Sequence, residues 1–76
     1  QSRNIEALIS ARKSQKLSQA LLAERLKCHQ SLVARIESGQ RRIDVPELVI
    51  LARALDVPAE HFFDAVIKAV PPGERL

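Results

Sequence analysis

Five short stretches constrain what this chain can fold into. In each, apolar residues recur every three or four positions, and a cap, a glycine, a proline or a short break bounds the run. Ile5, Leu8 and Ile9 set a first helix over about Arg3 to Lys16. Ser18 is a good N-cap, and Leu21, Leu22, Ala23 and Leu26 give the second helix its apolar face. After a break at Lys27, Cys28 and His29, a third helix starts near Gln30, turns Val33 and Ile36 inward and stops at Ser38-Gly39. Residues 40–43 read as a loop. Asp44 to Glu47 reads as a capping box opening a fourth helix, with Pro46 tolerated in the first turn, where the amide it lacks would be unpaired anyway. Leu48, Leu51, Ala52 and Leu55 form that helix's inner stripe. A fifth helix runs from about Ala59 to Val70, between the break at 56–58 and Pro71-Pro72-Gly73. The expected fold is all-α, a compact five-helix bundle forming one domain over 1–76, with a core of about 5–63 and a tail at 71–76.

Composition agrees with this plan. Leu, Ile, Val and Ala supply most of the apolar residues, with two Phe, two Gly and no Trp, Tyr or Met; such a vocabulary suits helices better than sheet. With no Met, residue 1 is expected not to be the native start. The single cysteine excludes an internal disulfide and a Cys-rich zinc site and fits a reducing, cytoplasmic setting. No apolar run approaches the ~18 residues that span a bilayer, and no secretory leader is visible. No catalytic grouping, metal-ligand spacing or glycine-rich phosphate loop appears, so neither an enzyme, a cofactor nor a small-molecule ligand is expected.

The charge is unevenly placed. Residues 1–43 hold nine Lys/Arg against three Glu, whereas residues 44–76 hold three against six Asp/Glu. A polyanion would dock on the first part and avoid the second.

Residues 18–42 carry the narrowest pattern. Two helices joined by a three-residue turn can be a plain helical hairpin. A helix-turn-helix crosses more steeply and needs a small residue where the second helix passes over the first. Ala23 fills that position, and Leu22, Leu26, Cys28, Val33 and Ile36 supply the buried contacts. The strings Leu17-Ser18-Gln19, Leu22-Ala23-Glu24, Gln30-Ser31-Leu32-Val33, Ile36-Glu37-Ser38-Gly39 and Arg41-Arg42-Ile43-Asp44-Val45 resemble the Xre/Cro-like helix-turn-helix family of phage repressors, restriction-modification controllers and small bacterial regulators. The likeness extends from about Leu8 to Phe63.

This resemblance implies a lambda repressor-like DNA-binding domain and a regulator of transcription, most often a repressor, of bacterial or phage origin. Gln30, Ser31 and Arg35 stand where the family meets base edges; a glutamine amide suits adenine and an arginine fork suits guanine. Leu32 and Ala34 either touch a thymine methyl or, for Leu32, pack on the domain itself. Gln19 would bind a phosphate and brace Gln30, Ser18 could hold a further phosphate, and Arg41 and Arg42 would lie beside the DNA backbone. Arg12 and Glu37 correspond to a structural ion pair tying the first helix to the end of the third.

The chain departs from the family pattern in one short segment. Lys27 stands where glycine is usual, His29 where Ser or Thr caps the recognition helix, and Cys28 where valine is common. Cys28 reads as a small buried hydrophobe, with a redox role the minor alternative. His29, with only His61 elsewhere, does not suggest a metal site.

The fifth helix carries more apolar surface than one face of a small domain buries, and Phe63, Val66, Ile67 and Val70 are expected at a dimer interface. A two-fold homodimer would present two recognition helices one DNA turn (~34 Å) apart; packing on a further domain is the alternative. The runner-up function is a protein-interaction module, which has no need of a basic rim around polar readers.

Overall fold

A computed structural model describes residues 3–76. The expectation of a non-native start falls on residue 1, outside the described residues. The described chain forms α1 (Arg3–Ser14), α2 (Gln19–Leu26), α3 (Gln30–Glu37), α4 (Val45–Ala54) and α5 (Ala59–Ala69), with no strand among the described residues. This is the five-helix, all-α arrangement the periodicity predicts. Helix α1 packs on α5 and α3, α2 packs on α3 and α4, and α4 closes on α5.

Core residues come from all five helices. Leu8 of α1, Leu22 and Ala23 of α2, Val33 and Ile36 of α3, Leu48 and Leu51 of α4 and Phe62 of α5 are all buried. Leu55 and Phe62 reach 0% exposure and sit at the centre. Burying such a side chain completely contributes roughly 1.5–3 kcal/mol, so a chain this short depends on a few large apolar groups.

The caps form where the sequence predicts them. Ser18 accepts a hydrogen bond from the Leu21 amide at 3.1 Å, opening α2. Asp44 accepts from the Glu47 amide at 2.8 Å, and the Glu47 carboxylate accepts from the Asp44 amide at 3.0 Å, completing the capping box of α4. At α3 the His29 backbone occupies the N-cap position, but its side chain makes no capping bond.

Four helices close with the same pair of backbone bonds. In α1 the Leu17 amide donates to the Arg12 carbonyl and the Lys16 amide to that of Lys13. Cys28 and Lys27 close α2 in this way, Gln40 and Gly39 close α3, and Val57 and Asp56 close α4. This is the Schellman arrangement, which places one residue in the left-handed region. That residue is Lys16 (φ 58°), Lys27 (φ 57°), Gly39 (φ 83°) and Asp56 (φ 57°) in turn. Helix α1 therefore ends at Ser14, two residues before the sequence expectation, because Lys16 has left the helical region. Where a non-glycine residue takes this conformation, the next residue is apolar and packs on the core: Leu17, Cys28 and Val57. At Gly39 the next residue, Gln40, is exposed.

Lys27 therefore carries local strain in the turn between α2 and α3. A left-handed non-glycine residue costs about 1–2 kcal/mol, partly offset by the greater freedom glycine would have in the unfolded chain. Lys27→Gly is expected to stabilise the protein by about 0.5–1 kcal/mol in urea denaturation; a loss of stability would show that the lysine side chain contributes contacts of its own.

Candidate nucleic-acid interface

The eight residues of α3 divide cleanly around the helix axis. At about 100° per residue, Gln30, Ala34, Ser31 and Arg35 fall within an arc of about 140°, and Leu32, Ile36, Val33 and Glu37 fall on the opposite side. Burial follows this division. Val33, Ile36 and Glu37 are buried, Leu32 is half-buried against the core, and Gln30, Ser31 and Arg35 are exposed. Leu32 thus packs on its own domain, whereas Ala34 lies in the outward arc and is half-buried. Among the described residues, the side chains of Gln30, Ser31 and Arg35 make no hydrogen bond within the protein.

The pose of α3 is fixed at its last residue. Arg12 Nε donates to Glu37 Oε2 at 2.7 Å and Arg12 Nη2 to Glu37 Oε1 at 3.0 Å. These side chains are only 11% and 9% exposed. Arg12 Nη1 also donates to the Leu17 carbonyl at 2.8 Å, so all three guanidinium nitrogens are bonded. Gln19, the first residue of α2, donates its side-chain amide to Glu37 Oε1 at 3.0 Å. One carboxylate therefore ties α1, α2 and α3 together. Among the described residues, no buried side-chain polar atom lacks a partner.

Gln19, expected from the family resemblance to brace Gln30 and meet a phosphate, gives one of its side-chain amide hydrogens to Glu37. No local signal marks that bond, because the partners lie 18 residues apart. Ser18 is exposed, and its hydroxyl oxygen serves as the α2 cap.

The two arginines after α3 differ. Arg42 is exposed. Arg41, read from the sequence as a second backbone contact, donates through Nη2 to Glu47 Oε2 at 2.5 Å. That hydrogen bond, then the bond from the Asp44 amide, hold the Glu47 carboxyl below its ordinary range; burial opposes them by more than the charge of Arg41 adds. The same hydrogen bond raises Arg41 above its usual value. Glu47 was legible as a capping residue, but its hold on Arg41 was not.

On α5, Phe62 is fully buried, and Phe63 and Val66 are half-buried, with Phe63 packed against the core. Ile67 is 69% and Val70 50% exposed. The helix ends at Ala69, where Val70 turns to extended backbone. Among the described residues no helix is long and apolar enough to cross a membrane, and no group of three or more His, Cys, Asp or Glu could hold a metal ion.

Two short helices joined at a tight turn, the second anchored on its inner side and polar on its outer side, define a helix-turn-helix DNA-binding domain. A helix-turn-helix family model matches residues 8–62, and the chain belongs to that family, of the Xre/Cro-like type, whose members are DNA-binding transcription regulators. No curated protein sequence matches the chain.

Removing the Glu37 carboxylate would leave the Arg12 charge buried without its counterion, and such losses cost about 3–5 kcal/mol. Glu37→Ala is therefore expected to lower Tm by more than about 10 °C in a thermal melt followed by circular dichroism. An unchanged Tm would contradict the three-helix tie.

Proposed function

We propose that the protein is a sequence-specific regulator of transcription that binds double-stranded DNA through the major groove, a repressor that occupies a palindromic operator as a homodimer. The observation that carries this reading is the outer arc of α3, where Gln30, Ser31 and Arg35 stand exposed on a helix whose other side is anchored by Val33, Ile36 and Glu37. Gln30 matches the N6/N7 edge of adenine and Arg35 the O6/N7 edge of guanine, while Ser31 can donate or accept. Arg42, and the start of α2 at the exposed Ser18 and half-buried Gln19, then face phosphates, which position the helix but read no sequence. Gln19 would do so with the one side-chain amide hydrogen its bond to Glu37 leaves over.

Substitutions separate reading from positioning. Arg35→Ala is expected to weaken binding to a selected site by about 1–3 kcal/mol more than binding to random duplex. Arg42→Ala is expected to weaken both equally and to reduce the salt slope by about 1. Fluorescence anisotropy at several salt concentrations measures both effects; equal affinity for all sequences would contradict the specific-regulator reading.

The homodimer rests on the stripe of Phe63, Val66, Ile67 and Val70, whose outer members are exposed beside half-buried neighbours. A second copy covering this stripe would remove it from water and set two α3 helices ~34 Å apart. Sedimentation equilibrium at tens of micromolar is expected to show a dimer, and Ile67→Glu a folded monomer. A monomeric parent protein would assign the stripe to another partner.

A further inference from the structure

Arg41 and Glu47 lie at the edge of the proposed DNA-binding surface. The Arg41 amide donates to the carbonyl of Arg35, a base-reading candidate, at 3.2 Å, so Arg41 is fastened to the end of α3. Its side chain crosses the loop to the first turn of α4, where Nη2 meets Glu47 Oε2. Glu47 Oε1 is already occupied by the Asp44 amide, so both carboxylate oxygens are engaged and the side chain is held by the capping box as well as by the arginine. The pair lines a cleft of about 150 Å³ together with Leu32, Ile36 and Leu51.

The geometry points to Glu47 as a positioning residue that withholds Arg41 from the DNA backbone and so sets the protein's sequence-independent affinity. This rests on the DNA-binding reading above. A guanidinium bonded to a carboxylate at the surface is neutralised locally, and a phosphate must displace that carboxylate before it gains the arginine. Partly exposed pairs of this kind are weak enough for phosphate to compete with them. Arg42, one residue on and exposed, meets phosphate without that cost, so the adjacent arginines contribute unequally. The capping box makes the restraint durable, because Glu47 cannot swing away without giving up the hydrogen bond it accepts from the Asp44 amide.

The test is a double-mutant cycle on a duplex of random sequence, with affinities read by anisotropy at low salt. Glu47→Gln keeps an oxygen for the Asp44 amide, so the fold is retained, and circular dichroism checks that it is. In the parent background this change is expected to tighten binding about three- to fivefold, the equivalent of a surface ion pair. In an Arg41→Met background it is expected to tighten binding by less than about 1.5-fold, since only the general change in net charge remains. Arg41→Met alone is expected to weaken binding less than Arg42→Met. Equal tightening in both backgrounds would overturn the proposal, as would weaker binding by Glu47→Gln. A parent protein that binds no duplex at all would overturn the DNA-binding reading itself, and this proposal with it.

Discussion

One carboxylate organises the working part of this molecule. Glu37 ends α3, and its two oxygens take hydrogen bonds from Arg12 of α1 and Gln19 of α2. Apolar packing alone specifies that α3 lies on the core, but side chains such as Val33 and Ile36 tolerate small rotations about the helix axis. A two-pronged ion pair does not, because the guanidinium fork and the carboxylate share a plane. Taking both charges out of water offsets much of their attraction, so the pair adds little net stability and contributes mainly orientation. The outer arc of Gln30, Ser31 and Arg35 points where it does because the inner arc ends in this bond.

The helix ends are the second constraint. Four closures of one kind turn the chain sharply enough to pack five helices into 76 residues. Each needs a left-handed residue, and only one of the four is glycine. Lys16, Lys27 and Asp56 are held there by the apolar residue that follows, whose burial offsets the local strain. At the turn between α2 and α3 that residue is Cys28, so its half-buried place is accounted for by packing.

Much of the fold was legible because the signals are local. The capping box of α4, the Ser18 cap and the inward stripes of α3 and α4 each lie within a few residues of their partners, and helix starts fell where these caps stand. The end of α1 was not legible, since a lysine carries no mark of a left-handed backbone as a glycine does. The Arg12–Glu37 pair was expected only through family resemblance, because a separation of 25 residues leaves no periodic trace. Gln19 and Arg41 show a further limit. Both have polar side chains suited to phosphate, and both have intramolecular partners that only the packed structure brings near.

If α3, held in this pose, reads base sequence in a groove, selection of bound duplexes from a random pool at physiological salt returns sequence, symmetry and spacing together. An enriched two-fold motif is expected, with half-site centres about 10 base pairs apart, each half rich in the guanine and adenine positions that Arg35 and Gln30 can pair. A pool that shows no enrichment after repeated rounds would contradict that reading.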